Sequence, residues 1–219
     1  MEVIDLGLMD YEAAWARQRE IHRGVVEERG SDTILVVEHP PVLTLGRHAD
    51  PRFVLGDPEQ FRARGVSVVR IDRGGEVTAH VPGQIVVYPI LRLSRFKLGP
   101  RTYVELLQQV MIDCLAHFDI QGASDPKWPG VWIGRAKVGA VGVRIADRVS
   151  LHGIALNVNN SLELFDRIVP CGITGDQGRS VTTLAAATGR ALTTSDVRPV
   201  IVGILMKALE KTRATPPAP

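Results

Sequence analysis

The 219-residue chain has only two cysteines. That is too few for a disulfide framework and fits a reducing compartment, where each thiol is either packing or chemistry. No apolar run approaches the roughly 20 residues of a membrane span. The amino-terminal MEVIDLGLMD is acidic rather than basic and then apolar, unlike a signal peptide. A cytoplasmic protein with no membrane attachment is expected. The chain also lacks a strong charge of either sign: the net charge of +2 argues against a nucleic-acid partner. Its pI near 8.7 still suits an acidic protein partner. Its histidines and cysteines show no CxxC, HxxxH or HExxH spacing, so no metal site is expected. The phosphate-cradling GxxxxGK[ST] loop is absent too. No repeat, low-complexity tract or linker divides residues 1–212, which read as one domain. Residues 213–219, within TRATPPAP, read as a disordered tail.

What is present is an ordinary globular balance, 45% hydrophobic and 23% charged. Residues 11–26 read as an amphipathic helix, with Tyr11, Ala14, Trp15, Ile21 and Val25 on one stripe and Asp10 as N-cap. TILVVEH and VLTLG, split by Pro40 and Pro41, then VSVVRI and QIVVYPIL, read as strands. A second helix is expected from Tyr103 to Phe118, with Cys114 on its buried stripe as a packing residue. VWI, KVGAVGVRI and SLHGIALNV read as three strands of a meander, with turns at Gly134-Arg135 and Ala146-Asp147-Arg148. A last helix is expected from Ser195. Helices and strands come in blocks, which predicts an α+β fold, a mixed or antiparallel sheet with flanking helices.

Three glycine-bearing segments stand out. RGGEVTAHVPGQ places Arg73-Gly74-Gly75 and Pro82-Gly83 around Thr78, His80 and Gln84, between two apolar runs. Adjacent glycines there suit a tight turn, a nest of backbone amides or a close ligand. Gly139 and Gly142 in KVGAVGVRI, and Gly153 in SLHGIALNV, interrupt strands, where glycine marks a bulge or a close approach. Together the three segments can line one elongated apolar cleft. Cys171, between Pro170 and Gly172 in IVPCGITG, falls where no periodicity claims it. A nearby cation would favour its thiolate, and Lys137, His80 and His152 are candidates for that role. His39 and His48 read as polar residues at strand ends. The basic stretch Arg92, Arg95, Lys97 and Arg101 is a candidate docking surface for an acidic carrier, although a solvated loop also explains it.

RGGEVTAHVPGQ, GVWIGRAKVGAVGVRI, LHGIALNV and IVPCGITG resemble, in that order, the signature segments of the bacterial octanoyltransferases. A weaker likeness in LVVEHPPVLTLGR extends the resemblance over most of residues 1–190. It implies a mixed sheet with flanking helices, as in lipoate and biotin protein ligases. It also implies transfer of an octanoyl or lipoyl group from acyl carrier protein to a lysine of a lipoyl domain. The acceptors it implies are the lipoyl domains of 2-oxoacid dehydrogenases and the glycine cleavage H protein, and it calls for no cofactor. By the same resemblance Cys171 carries the acyl group as a thioester and Lys137 tunes that cysteine. The substrate is lined by Arg73, Gly74, Gly75, Glu76, Val77, Thr78, Ala79 and His80, by Ala140, Val141 and Gly142, and by His152, Gly153, Ile154 and Ala155. The glycines would then leave a slot for the chain between strand backbones. One departure is visible: the family pattern His-Gly-Pro-Gly-Gln, preceded by an aromatic residue, is here Ala79-His80-Val81-Pro82-Gly83-Gln84. Valine does not suit a positive φ, so a different local loop is expected.

The chemistry is consistent with this reading. A thioester donor is already activated, so transfer to a thiolate needs no ATP. Lys137 would take the proton of Cys171, backbone amides near Gly172 would hold the oxyanion, and Lys137 or His152 would accept the proton of the incoming amine. Three alternatives are an ATP-dependent lipoate- or biotin-type protein ligase, a hydrolase passing the acyl group to water, and a catalytically silent module that binds acyl carrier protein.

Overall fold

The computed structural model describes residues 1–169 and 179–214. Cys171 lies outside the described residues. The chain begins with β1 (Glu2–Leu8), α1 (Tyr11–Val26) and β2 (Thr33–Glu38). β1 and β2 pair in parallel, so α1 is the crossover of a β-α-β unit. The first strand was not anticipated, because its residues are half exposed and its Gly7 adopts a positive φ. Helix α1 matches the expected bounds. The Asp10 carboxylate accepts from the amides of Glu12 and Ala13 and so satisfies two of the orphan donors at the helix start.

A small sheet follows, with β3 (Val42–Leu45) between β4 (Ser67–Arg70) and β5 (Val77–His80), and α2 (Pro58–Ala63) lies between β3 and β4 in the chain. The rest comprises β6 (Gln84–Ile90), α3 (Pro100–His117), β7 (Ala123–Ser124), β8 (Val131–Ile133), β9 (Ala136–Ala146) and β10 (Val149–Asn157). It ends with β11 (Ser180–Val181), α4 (Leu184–Thr188) and α5 (Thr194–Ala214). Among the described residues the main sheet runs β1-β2-β6-β10-β9-β8-β7, with β11 added parallel to β9. The meander β8-β9-β10 is as expected, and the sheet is mixed as predicted. Helix α5 reaches Ala214, so the chain stays helical past residue 212, where a tail was expected.

Both faces of this sheet are covered, which is why β2 and β6 read as unbroken apolar runs. Ile34, Val36, Ile85, Val87, Ile154 and Leu156 pack towards α3 and α5 in the larger core, together with the fully buried Cys114. Leu35, Val37, Val86, Tyr88 and Ala155 belong to a second core that includes Val25 of α1. Burial raises the Cys114 thiol to about 12, as befits a packing residue. Most of the basic stretch is committed to the fold. The guanidinium of Arg92 caps the end of α1 through the carbonyls of Val25 and Val26, Arg95 pairs with the buried Asp32, Lys97 bonds the carbonyl of Arg213, and Arg101 pairs with Glu105. Arg92 and Arg95 are thereby engaged by the fold, whereas Arg101 stays exposed on α3.

Candidate active site

A cavity of about 250 Å³ lies between β5, α1 and the β9-β10 hairpin. Of the residues singled out from the sequence, Arg73, Gly75, Glu76, Val77, Thr78, His80, Lys137, Ala140, Val141, Gly142, His152, Gly153, Ile154 and Ala155 line it. Two do not. Gly74 is turned into the sheet, where its amide donates to the carbonyl of Val143 at 2.9 Å, so the RGG turn is pinned to β9 and its Gly74 amide is not open as a nest. Ala79 is fully buried in the core beneath the small sheet, and only its carbonyl serves the site, by accepting from Gln84. Val81 is not among the left-handed residues of the chain and packs in that same core, so the valine is accommodated by an ordinary backbone.

The glycines do less to open the cavity than the sequence suggests. A Cβ on Gly142 would lie 2.9 Å from Cδ of Arg73, so the space is filled by that side chain. A Cβ on Gly153 would lie 2.1 Å from the carbonyl oxygen of Val87, so there the neighbouring strand fills it. Glycine at these positions brings protein against protein. The Arg73 guanidinium then reaches the carbonyl and hydroxyl of Thr44 and fixes the roof of the cavity to its wall.

One end of the cavity is the Lys137 end. Lys137 is only 9% exposed. Its backbone pairs with β8 and β11, and its Nζ lies 5.7 Å from the centre of the Trp132 ring. The same ring carries Arg179 at 4.6 Å, and Arg179 also pairs with Asp125 at 2.7 Å. Pro129, Phe165 and Val181 complete this end.

At the other end is a buried polar cluster that was largely invisible in the sequence. His152 has φ of +57°, a costly conformation for a residue with a Cβ. Strand alternation would put it with Ser150 and Ile154, facing α3. The left-handed turn instead brings it to α1, where its amide donates to the fully buried Gln18 and its ring meets Trp15 and Tyr11. Its Nε2 lies 2.8 Å from Asp72, which also pairs with Arg144. His39, expected as a plain polar residue at a strand end, is fully buried. Its Nδ1 lies 2.7 Å from the Met9 carbonyl and its Nε2 lies 2.8 Å from the Tyr88 hydroxyl. His80 stacks on Tyr11 and bonds Gln84, which continues to Asn157 and on to the Thr182 carbonyl. Tyr11 was assigned to packing alone. Asp72 immediately precedes the RGG segment, and Arg144 lies inside the noticed KVGAVGVRI segment, where only its glycines drew attention.

Burial holds the three histidines neutral. His39 falls to about 4, chiefly by desolvation, and His152 to about 3 by desolvation and by the Arg73 and Arg144 charges. His80 is pushed well below its usual value by desolvation and by His39. A histidine whose folded pKa is depressed stabilises the fold fully above its unfolded value near 6.5, and this contribution is lost as pH falls towards the folded value. We expect urea stability to fall between pH 6.5 and 4.5, by up to about 1.4 kcal/mol per pH unit for each buried histidine. Combined His39→Gln and His152→Gln substitutions should flatten that slope, and an unchanged slope would contradict the assignment.

A family model, the lipoyl protein ligase A/B catalytic domain, matches residues 10–205. The chain is 43% identical to an octanoyltransferase of Chloroflexus aggregans over 94% of its length and 93% of that protein's. It is 42% identical to an octanoyltransferase of Gloeobacter violaceus, over 82% of its own length and 79% of that protein's. Its fold resembles a lipoate-protein ligase A crystallised with ATP (TM-score 0.76, 12% identity, covering 95% of this chain and 85% of that one). It also resembles, less closely, the biotin protein ligase of Aquifex aeolicus (TM-score 0.53, 15% identity, covering 97% and 71%). The chain therefore belongs to the lipoyl protein ligase A/B catalytic-domain family, and within that family it stands with the octanoyltransferases.

Proposed function

We propose that the protein moves an octanoyl group from the thiol of acyl carrier protein to the side-chain amine of a lysine in a lipoyl domain, through a thioester on Cys171. The observation that carries this reading is a buried lysine, Lys137, at one end of an elongated, largely apolar cavity. Six methylenes of an octanoyl chain buried along that cavity contribute about 5 kcal/mol, at about 0.8 kcal/mol each.

In the first step Lys137 removes the Cys171 proton and the thiolate attacks the donor carbonyl. The carrier's sulfur leaves and takes the proton from Lys137. In the second step the neutral amine of the acceptor lysine attacks the Cys171 thioester and forms an amide. The Cys171 sulfur leaves, and the proton shed by the amine returns to it through Lys137. The sum is one thioester and one amine converted to one amide and one thiol. His152, the other candidate base, is already engaged by Asp72 and Tyr11 at the opposite end of the cavity, which favours Lys137 for both proton transfers.

The ligase alternative shares the fold, yet the lipoate- and biotin-type ligases of similar structure are only 10–17% identical to this chain, against 37–46% for octanoyltransferases. The test is a transfer assay with purified lipoyl domain. Octanoyl-acyl carrier protein should octanoylate the lipoyl domain without ATP, and free octanoate with ATP should not. ATP-dependent use of free octanoate would overturn the proposal in favour of a ligase. Release of octanoate at the same rate with no lipoyl domain present would favour a hydrolase.

A further inference from the structure

We propose that the closed end of the cavity, at Tyr11, Tyr88 and His80, is a subsite for a hydrogen-bond donor on the distal part of the acyl chain. The site would then take medium-chain acids bearing a terminal hydroxyl in addition to plain alkyl chains. This inference rests on the reading of the cavity as an acyl site with the reacting carbonyl at Lys137.

The Met9 carbonyl can only accept, so the nitrogen of His39 that faces it at 2.7 Å, Nδ1, carries that ring's hydrogen. His39 is neutral, so its Nε2 has only a lone pair, and the Tyr88 hydroxyl 2.8 Å away must donate to it. At the other side of the cluster the Asp72 carboxylate accepts from Nε2 of His152. Nδ1 of the neutral His152 is therefore the acceptor, and the Tyr11 hydroxyl donates to it at 3.4 Å. The Tyr11 and Tyr88 hydroxyls are also hydrogen-bonded to one another, so two hydroxyl protons serve two histidine nitrogens and the contact between the phenols, and the cluster holds more acceptors than hydroxyl protons. Both oxygens are left with lone pairs, and both residues line the cavity.

His80 adds a third acceptor. The amide of Asn157 is oriented by its donation to the Thr182 carbonyl, and that of Gln84 by its donation to Asn157 and to the Ala79 carbonyl. The Gln84 oxygen must therefore accept from Nδ1 of His80, at 2.7 Å. This leaves Nε2 of a neutral, 5%-exposed histidine as an acceptor, in a ring stacked on Tyr11. Two phenolic oxygens and an imidazole nitrogen in one buried cluster thus offer lone pairs, beside the guanidinium of Arg73, which lines the same cavity. A bare methyl end satisfies none of these acceptors, whereas a hydroxyl can donate to one of them.

The test is calorimetric binding of octanoic acid and 8-hydroxyoctanoic acid to the parent protein, Tyr11→Phe and Tyr88→Phe, with thermal melts to establish that each variant is folded. A purely apolar pocket would hold the hydroxy acid about tenfold or more weakly, because its hydroxyl would be buried unpaired. We expect the parent to bind the two acids within about threefold of one another. In each phenylalanine variant the ratio should move at least fivefold against the hydroxy acid; using the ratio cancels any loss common to both ligands. A ratio unchanged in both variants overturns the proposal, as does failure of the parent to bind the hydroxy acid. Octanoyl transfer is scored separately. A tyrosine-dependent preference without transfer would keep the subsite and count against the transferase reading, and transfer without the preference would do the reverse.

Discussion

Replacing Lys137 by alanine is expected to slow acylation of Cys171 by octanoyl-acyl carrier protein by about 10²- to 10⁴-fold, the usual worth of a positioned general base. The side chain is enclosed by β8, β11 and the Trp132 ring rather than free in solvent, so water or buffer cannot take its place at the same position. The loss should be pH-dependent. Without the lysine the thiolate must form by ordinary ionisation in water, so the deficit should shrink as pH rises. Single-turnover acylation measured from pH 6 to 9.5 checks this. A Lys137→Ala variant within threefold of the parent across that range would remove Lys137 from the chemistry and leave it a buried packing residue.

The second large effect is on the fold. Gly153→Ala puts a methyl 2.1 Å from the Val87 carbonyl oxygen and 2.8 Å from Cδ of Pro89, and neither is the far end of a flexible side chain. To relieve the clash β6 and β10 must separate at the centre of the main sheet, next to the left-handed His152. Overpacking of this kind costs about 3 kcal/mol or more, and in a chain of this length that lowers Tm by about 6–12 °C. Differential scanning calorimetry measures it directly. Gly203→Ala, in α5 where an added Cβ meets nothing within 4 Å, is the control and should leave Tm within about 2 °C. A Gly153→Ala protein as stable as that control would mean that the β6-β10 backbone contact has room for a methyl group.

The parts of the molecule legible in the sequence were those that repeat. The apolar spacing of α1 and α3, the Asp10 cap and the β8-β9-β10 meander all follow from periodicities of 3.6 and 2, and they lie where the pattern puts them. β1 was missed because it is a half-exposed edge strand whose glycine and acidic residues give little alternation. The polar end of the cavity was missed for a different reason. Its members come from residues 11, 39, 72, 80, 88, 144 and 152, and only the fold brings them together. His152 in particular sits on the wrong face for its place in the strand, and a left-handed backbone corrects that without leaving a mark in the residue pattern. The glycines at 142 and 153 line the cavity, and their missing Cβ atoms also admit Arg73 and β6 against the strand backbones. In the basic stretch at 92–101, Arg92, Arg95 and Lys97 reach α1, Asp32 and α5, while Arg101 pairs only within α3 and stays exposed.

The most direct measurement is intact-protein mass spectrometry after mixing the protein with octanoyl-acyl carrier protein, with Cys171→Ser alongside. The parent is expected to gain one octanoyl mass, removed by hydroxylamine, lost again when a lipoyl domain is added, and absent from Cys171→Ser. A parent that octanoylates the lipoyl domain without ever carrying the octanoyl mass, or a Cys171→Ser protein that acquires the same hydroxylamine-labile group, would contradict the Cys171 thioester.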